Sequence, residues 1–331
     1  MKLLFIFTGG TIGSTRNGDV ISADADKSYK IIEAYEKAHG IDFEYDVAEP
    51  YTELSENNTG LHMRALCRCI REKLGAGYDG IIATHGSDTL QYTAAAVGYC
   101  IGLDTVPVCL VAANAPIESP DSNAIDNLHG AIRFIAGTEG RGAFAVYRNS
   151  ASDTVRVHRA TRLIGAKAYS DDLSSANKRV YGIFDSNFNL IKDEKYAEMS
   201  DGLGAFDPEL LEETNEGAAV LFSYPGMSYP ELSERTKYVI VNTYHSGTLN
   251  TKSESARSFF AKAKKKGIPV YATGISEGPQ YESAESFREL GITPVTALSP
   301  VAAYIKLWLA YSAGIDPKTA IKTSLSGDIV L

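Results

Sequence analysis

The chain has little of several features that would each point to a particular class of protein. Its 331 residues include four cysteines, one tryptophan and six histidines. No apolar run approaches the roughly 18 residues that a membrane span needs. Basic residues are fewer than acidic ones, with 32 Lys and Arg against 41 Asp and Glu, which gives a net charge of −9. This acidity argues against a nucleic acid or an anionic membrane surface as a partner.

The few cysteines and histidines do not form a metal-site pattern. Cys67 and Cys69 are two residues apart in a helical stretch, so their side chains point in different directions. Cys100 and Cys109 have no neighbouring ligand pair, and the histidines do not cluster. We therefore expect buried, reduced thiols and neither a metal nor another cofactor.

The N-terminus shows no pattern of a secretion signal. Met1 and Lys2 lead directly into five apolar residues, 3–7, which Thr, Gly and Gly follow. A secretory segment would have a longer apolar region and a cleavage site. We expect a cytoplasmic protein with no membrane partner.

The spacing of the apolar runs predicts an α/β protein with two domains. Residues 1–190 alternate short apolar strands with amphipathic helices, which is typical of a doubly wound, mostly parallel sheet. Residues 191–216 carry charge and glycine without periodicity and are expected to link the domains. Residues 217–331 resume the alternation and predict a smaller C-terminal α/β domain. The predicted strands are 2–7, 42–47, 79–84, 106–112, 143–147, 218–223, 237–242 and 268–272, and the predicted helices are 27–39, 59–75, 89–102, 123–135, 251–266, 281–290 and 299–313.

Two short segments in the first ninety residues carry the strongest functional signal. Residues 5–13 read Phe-Ile-Phe-Thr-Gly-Gly-Thr-Ile-Gly, and residues 79–90 read Asp-Gly-Ile-Ile-Ala-Thr-His-Gly-Ser-Asp-Thr-Leu. Each is an apolar run that ends in small residues and hydroxyls, where a buried parallel strand would stop. Ligands of open α/β sheets bind at these strand ends, so Thr11, Ser87 and Asp88 are expected at one crevice. Hydroxyls beside a carboxylate, without an obvious triad histidine, indicate acyl-transfer chemistry.

Each segment also has an ordinary structural interpretation. Gly-Gly-Thr after a strand often forms only a tight turn that enters a helix. Asp88 could be the N-cap of the helix predicted over 89–102. The two segments are far more specific together, in this order and about one α/β half-domain apart, than either is alone.

Taken together, the two segments resemble the signature motifs of the bacterial-type asparaginase/glutaminase family, and most of all its cytoplasmic, type I-like L-asparaginases. Residues 221–227, which contain Tyr-Pro-Gly, are similar to the strand that opens the second domain of cytoplasmic members. Residues 242–248 lie where the family has a Tyr-Gly-x-Gly-Asn-like loop. The resemblance covers nearly the whole chain and is strongest before residue 130.

The resemblance implies an amidohydrolase that acts on a small amino-acid amide, L-asparagine first, without a cofactor or metal. Thr11 would be acylated while ammonia leaves, and Ser87 would be the second reactive hydroxyl. Asp88 would bind the α-ammonium group of the substrate, a sound role for an acceptor-only carboxylate. Ser55 and Glu56 match a loop that holds the α-carboxylate and α-amino group, or else form a polar loop with helix-capping residues. A homodimer or homotetramer is implied, because a neighbouring subunit completes the site in the family.

Three positions need separate comment against the family pattern. The lysine that activates the second hydroxyl is best matched by Arg162, which stays protonated and cannot be a general base. Arg162 could still hold charge near Ser87, or Lys167 could reach the site instead. The loop after the first motif lacks the family's tyrosine, and the next one, Tyr29, is expected inside a helix. His85 does not match the catalytic base of the family and is expected to make a buried, orienting hydrogen bond.

These departures leave other functions open. The chain could be a non-catalytic small-molecule binding protein on an asparaginase fold, or an amidase or glutaminase for a different carboxamide. It could also be the ammonia-donating subunit of a tRNA-linked amidotransferase. That family usually carries an extra N-terminal domain, whereas this chain starts at the first strand, so we expect an asparaginase.

Overall fold

The computed structural model describes most of the chain, namely residues 1–10, 29–137, 140–149, 154–167, 169–276, 278 and 281–330, with the backbone of 14–17 and 20–23. Within these residues the strands are β1 (Lys2–Ile6), β2 (Ser14–Asn17), β3 (Val20–Ala23), β4 (Glu44–Ala48), β5 (Gly80–Thr84), β6 (Pro107–Val111), β7 (Gly142–Arg148), β8 (Val155–Arg159), β9 (Leu163–Ile164), β10 (Ser174–Ser175), β11 (Gly182–Phe184), β12 (Leu190–Lys192), β13 (Ala218–Phe222), β14 (Tyr238–Asn242), β15 (Val270–Thr273) and β16 (Ile292–Pro294). The helices are α1 (Lys30–His39), α2 (Gly60–Lys73), α3 (Leu90–Ile101), α4 (Ala124–Gly137), α5 (Glu254–Lys265), α6 (Glu282–Leu290), α7 (Pro300–Ser312) and α8 (Pro317–Lys322).

Eight strands form one large sheet in the order β12-β11-β8-β7-β6-β5-β1-β4. The neighbours from β4 to β7 run parallel, and β8, β11 and β12 add an antiparallel extension. The chain builds the sheet outward from β1, first to β4 on one side and then to β5 on the other. This order places a topological switch point between β1 and β5.

Helices cover both faces of the large sheet, so its central strands are apolar throughout. β1, β5, β6 and β7 are almost entirely buried, as expected of parallel strands between two helical layers. Helices α2 and α3 lie on one face, and α1 and α4 lie on the other. Helix α3 is buried on all sides, because α7 packs against its outer surface.

A second sheet of four parallel strands, in the order β13-β14-β15-β16, forms the smaller C-terminal domain. Helices α5 and α6 cover one face, and α7 and α8 cover the other. Helix α7 contacts both domains: Ala303 and Leu307 pack on the small sheet, whereas Ile305 and Leu309 pack in the core that contains α3. The prediction of a large, mostly parallel sheet domain and a smaller α/β domain is therefore confirmed.

Each predicted strand and helix begins and ends within three residues of an observed one. The sequence patterns did not predict several short elements. Strands β8, β11 and β12 are antiparallel additions at one side of the large sheet. β8 contains the fully buried His158 and Arg159, which disguise its apolar pattern. β12 begins at Leu190, so the large sheet continues to Lys192, inside the stretch that was expected to be a linker.

Three of the four cysteines are buried as expected, and Cys69 is only half-buried. All four are free thiols, and Cys67, Cys100 and Cys109 are buried. Among the described residues, no cluster of three or more His, Cys, Asp or Glu side chains is placed to hold a metal ion. No helix in the described part of the chain has both the length and the apolar character to cross a membrane.

Candidate active site

The carboxyl ends of β1, β4 and β5 meet at one edge of the large sheet. Gly9 and Gly10 follow β1, residues 53–58 follow β4, and residues 85–89 follow β5. The three strands are neighbours, with β1 in the middle, and the switch point lies between β1 and β5. The two sequence motifs therefore end where doubly wound sheets bind their ligands.

The two glycines of the first motif allow an unusually close approach of three backbones. Gly9 and Gly10 have φ of +89° and +79°, a region that favours glycine. A Cβ on Gly9 would lie 2.5 Å from the carbonyl oxygen of Glu53. A Cβ on Gly10 would lie 2.3 Å from the backbone nitrogen of Gly86. Gly9 and Gly10 are thus packed between the segments that follow β4 and β5.

Thr11, the predicted nucleophile, lies outside the described residues and directly follows Gly10 in the sequence. Part of the loop that comes next forms an antiparallel pair of strands, β2 and β3. Tyr29 precedes α1, which begins at Lys30, so the expectation that this tyrosine lies inside the helix is wrong. Its ring packs against Phe7 at the end of β1, with 5.8 Å between ring centroids.

His85 is the fully buried centre of the second motif. Its Nδ1 lies 2.8 Å from the carbonyl oxygen of Gly86, which can only accept, so Nδ1 carries a proton and donates. Its Nε2 then accepts a 3.0 Å hydrogen bond from Nδ2 of Asn58. Burial lowers the pKa of His85 to about 4, so the ring is neutral at neutral pH. The expected orienting hydrogen bond is confirmed, whereas Asn58 had no signal in the sequence.

Ser87 and Asp88 follow at the more open side of this turn. Ser87 is half-buried and Asp88 is exposed. Within the described residues, no group forms a hydrogen bond or ion pair with the Asp88 carboxylate. Helix α3 takes Thr89 as its N-cap residue, and no side chain caps it, so Asp88 does not have the capping role. The carboxylate is available to a cationic group of a ligand.

Ser55 and Glu56 lie on a short 3₁₀ turn, Ser55–Asn57, that follows β4. Ser55 is buried against the second motif: a Cβ on Gly86 would lie 2.4 Å from its Oγ. Its carbonyl oxygen accepts a 2.8 Å hydrogen bond from the hydroxyl of Thr89. Glu56 is exposed on the same turn. The structure thus brings Ser55 to the second motif and leaves Glu56 at the surface.

Arg162 is bound to the C-terminal turn of the chain. Its buried guanidinium donates to the carbonyl oxygens of Gly327 at 2.6 Å, Ala197 at 2.7 Å and Ile329 at 2.9 Å. In the described part of the molecule, no hydrogen bond joins it to Ser87. All the contacts of the guanidinium are structural, and none supports the idea that Arg162 holds charge beside the second motif.

Lys167 lies at a cavity of about 850 Å³ between the two domains. Asn58 and Thr89 from the candidate site also line this cavity, together with Tyr304 and Trp308 of α7. Among the described residues, Lys167 has no hydrogen-bond or ion-pair partner for its ammonium group, and it is exposed. Lys167 therefore brings a positive charge without a partner among the described residues to the wall of a cavity that Thr89 also lines.

The comparisons with known proteins agree with this geometry. Residues 2–191 match the family model described as the N-terminal domain of asparaginase. Curated relatives include the D subunit of the glutamyl-tRNA(Gln) amidotransferase from Methanosarcina barkeri, 34% identical over 200 residues that make up 58% of this chain and 45% of the relative. The corresponding protein of Pyrococcus furiosus is 26% identical over 349 residues, which cover 97% of this chain and 75% of the relative. The chain thus spans less than half of the first relative.

Solved structures with the same fold include L-asparaginases. The thermostable L-asparaginase from Thermococcus kodakarensis superposes with a TM-score of 0.79 at 22% identity, over 99% of both chains. A probable cytoplasmic L-asparaginase from Campylobacter jejuni gives a TM-score of 0.73 at 21% identity, over 97% of this chain and 98% of that chain. At these identities the structural similarity establishes the fold. The family model, which matches more than half of the chain, establishes the family. The protein belongs to the asparaginase family and is an enzyme of the amidohydrolase or amidotransferase type.

Proposed function

We propose that the protein hydrolyses the side-chain amide of L-asparagine to aspartate and ammonia through an acyl-enzyme on Thr11. The observation that carries the proposal is the backbone contact between Gly10 and Gly86, each followed directly by a hydroxyl residue, Thr11 and Ser87. Asp88 adds, at the same edge of the sheet, a carboxylate that has no hydrogen-bond or ion-pair partner among the described residues. A nucleophile, a second hydroxyl and a partner for an ammonium group are what this reaction requires.

The reaction has two steps that share one intermediate, an ester on Thr11. The Thr11 hydroxyl oxygen attacks the carboxamide carbon, the C–N bond breaks, and the nitrogen leaves as ammonia with the hydroxyl proton. Water then attacks the ester carbon, which releases aspartate and restores the hydroxyl. Negative charge develops on the carboxamide oxygen in both steps, and backbone N–H groups beside Thr11 are suited to stabilise it.

Asp88 and Lys167 have the supporting roles in this proposal. The Asp88 carboxylate pairs with the α-ammonium group, because it is exposed and has no partner among the described residues. Lys167 is the proposed cationic neighbour of Ser87, since its exposed ammonium group has no hydrogen-bond or ion-pair partner among the described residues. Arg162 is excluded from that role by its three backbone carbonyl partners. Ser55 and Glu56 border the substrate from the turn after β4.

A second candidate function is release of ammonia from glutamine for a tRNA-linked amidotransferase. The curated relatives favour it, because both of those described above are components of a glutamyl-tRNA(Gln) amidotransferase. The same acyl-enzyme chemistry would apply, with a substrate one methylene longer. In that role the chain would work with a partner protein and tRNA, and not on a small molecule alone.

Ammonia release from L-asparagine, L-glutamine and their D-isomers distinguishes these functions. The first proposal predicts the highest kcat/KM for L-asparagine. A preference for L-glutamine would favour the amidotransferase role instead. No ammonia from any of the four would leave a non-catalytic binding protein on the same fold or an amidase for a different carboxamide.

We also propose a cytoplasmic homodimer or homotetramer. The support is the resemblance to the asparaginase family, in which a neighbouring subunit completes the site. Light scattering on the purified chain gives the mass directly. A mass of 35.7 kDa, that of one chain, would contradict this proposal.

A further inference from the structure

The cavity between the two domains adjoins the candidate active site but is not formed by it. Asn58 and Thr89 line the cavity, whereas Ser87 and Asp88 do not. Helices α2, α3 and α7 and strands β13 and β14 supply most of its wall, mainly with apolar side chains. Its volume of about 850 Å³ is in the range of pockets that hold small organic molecules, about 300–1,000 Å³. Most of this space has no role in the proposed reaction.

The small sheet leaves part of an apolar face uncovered at this cavity. Val220 on β13 pairs with Ile240 on β14, and Phe222 pairs with Asn242, so these four side chains project from the same face of the sheet. Helix α7 packs over Ile240, which is 1% exposed, but Val220 and Phe222 remain 38% and 65% exposed. Exposed apolar side chains that line a concave surface are typical of a ligand-binding site.

Another part of the wall carries three aromatic rings in contact with one another. Tyr92 of α3 and Tyr304 of α7 meet edge to face, with 6.1 Å between their centroids. Tyr304 also packs against Trp308, one turn further along α7, at 5.9 Å. Aromatic side chains hold a flat ring by offset stacking or by edge-to-face contact. The cavity is therefore better suited to a flat aromatic ligand than to a flexible polar one.

The charges at the cavity favour an anionic group on that ligand. Of the described residues that line the cavity, only Lys167 and Glu213 are charged, and both are exposed. The carbonyl oxygen of Glu213 accepts a 3.2 Å hydrogen bond from the Gly60 N–H, so this residue lies at the N-terminus of α2. The partial positive charge of that helix end offsets the Glu213 carboxylate. Lys167 has no ion-pair partner among the described residues, so an anion gains more at the cavity than a cation does.

We propose that this cavity is a binding site for a small aromatic carboxylate. The aromatic ring packs against Tyr304, Trp308 and Phe222, and the carboxylate pairs with the Lys167 ammonium group. This ligand is not the amide of the proposed reaction, whose reacting groups follow β1 and β5. The inference therefore goes beyond the proposed function and does not depend on it.

Fluorescence reports on the cavity directly, because Trp308 is the only tryptophan of the chain. It is 5% exposed, so quenchers in bulk solvent reach it poorly. The probe is 4-nitrobenzoate, whose nitroaromatic ring quenches tryptophan on contact. Two matched probes, 4-nitrobenzyl alcohol and 4-nitrobenzylamine, carry the same ring with no charge and with a positive charge.

We expect saturable quenching with the lowest Kd for 4-nitrobenzoate and the highest for the amine. The net charge of −9 would favour the amine at a non-specific surface, so this order distinguishes the cavity from general attraction to the protein. Tighter binding of the amine would overturn the inference. Absence of saturable quenching by 4-nitrobenzoate would also overturn it, and this is the result expected if a second copy of the chain filled the cavity.

Lys167→Met tests the anionic group of the ligand. The Kd of 4-nitrobenzoate should rise about two- to fivefold, the range of an exposed ion pair, and that of the alcohol should stay the same. Lys322→Met is the matched control, because Lys322 is an exposed lysine at the end of α8 and does not line the cavity. An unchanged Kd of 4-nitrobenzoate in Lys167→Met would overturn the proposed ligand class.

Phe222→Ser tests the location of the bound ring. The Phe222 side chain is exposed, so the variant should fold, and the Kd of all three probes should rise about two- to tenfold with the loss of one aromatic contact. Tyr224→Ser is the control, because Tyr224 is also exposed but does not line the cavity. Unchanged affinity in Phe222→Ser would place the probe elsewhere and overturn the inference. None of these measurements needs turnover, so failure to release ammonia would contradict only the proposed function.

Discussion

Gly10 and Gly86 are in backbone contact, so that a Cβ on Gly10 would lie 2.3 Å from the nitrogen of Gly86. The contact joins the end of β1 to the turn after β5, on the two sides of the topological switch point. Thr11 and Ser87 each follow one of these glycines in the sequence. The geometry of the proposed site therefore depends on two residues that have no side chains.

Gly10→Ala should destabilise the fold more than the backbone conformation alone explains. At φ of +79° an alanine costs about 1–2 kcal/mol, and its Cβ also meets Gly86. Gly75→Ala is the matched control, with φ of +82° and nothing within 4 Å of an added Cβ. Urea unfolding should show a larger loss of unfolding free energy for Gly10→Ala. Equal losses in the two variants would contradict the close contact.

The sequence predicts where these segments lie but not how tightly they pack. Apolar runs that end in Gly-Gly-Thr and His-Gly-Ser-Asp identify two strand ends, and the α/β alternation indicates that the strands share a sheet. The distance between Gly10 and Gly86 depends on strand order and register, which local patterns do not encode. The same limit applies to the hydrogen bond between Asn58 and His85, which are 27 residues apart in the sequence.

Asp88→Asn should weaken substrate binding without destabilising the protein. Loss of a charge-assisted hydrogen bond to the substrate ammonium corresponds to about 1.5–3 kcal/mol, or roughly ten- to a hundred-fold in kcat/KM, mainly through KM. Stability should be unchanged, because Thr89 occupies the N-cap position of α3. Steady-state kinetics and thermal unfolding test both parts. Unchanged kinetics with a lower melting temperature would return Asp88 to a structural role.

Arg162→Lys should lower the stability of the protein, whereas Lys167→Met should lower its activity. Lysine cannot replace all three guanidinium hydrogen bonds of Arg162, and each one lost costs about 1.5–3 kcal/mol of unfolding free energy. Lys167 is exposed and unpaired among the described residues, so its loss should lower kcat and leave stability unchanged. Urea unfolding and ammonia release on both variants provide the comparison. Higher activity in Arg162→Lys would instead place position 162 beside Ser87.

The family pattern draws attention to Arg162 but does not predict its contacts. The partners of the guanidinium are carbonyl groups at 197, 327 and 329, and a carbonyl group is present at every residue of any sequence. Side-chain chemistry can be predicted from residue type, whereas hydrogen bonds to the main chain depend on the fold. The antiparallel strand β8 was missed because the polar residues His158 and Arg159 are buried in it, and their burial also depends on the fold.

The buried, neutral His85 should make the protein less stable in acid. Its pKa is about 4 in the folded protein against an ordinary value of 6.5, because burial disfavours the charged ring. Unfolding therefore takes up a proton between these values, so this stability is present above pH 6.5 and is lost as the pH falls toward 4. The free energy of unfolding should fall across that range.

His85→Gln isolates this contribution from that of other histidines. His129 and His158 have pKa values lowered to about 4 and about 3 by burial, so they act in the same direction. The variant should reduce the pH dependence of the unfolding free energy by about one proton. Identical slopes in the variant and the wild type would contradict a neutral, buried ring at position 85.

Thr8→Val provides a structural reference for the nucleophile. The Thr8 hydroxyl is buried and donates to the Thr84 carbonyl oxygen at 2.7 Å. Its loss should lower the free energy of unfolding by about 0.5–1.5 kcal/mol and leave ammonia release largely intact. Loss of turnover in a folded Thr8→Val protein would show that a hydroxyl three residues before Thr11 also takes part in the chemistry.

The most direct test of the account is the rate of ammonia release from L-asparagine by Thr11→Val beside the wild type. The substitution is nearly isosteric and removes the hydroxyl, so the variant should fold normally. We expect turnover by the wild type and none by the variant, because the hydroxyl oxygen forms the bond to the carboxamide carbon. A folded Thr11→Val protein that keeps most of the wild-type rate would contradict Thr11 as the nucleophile.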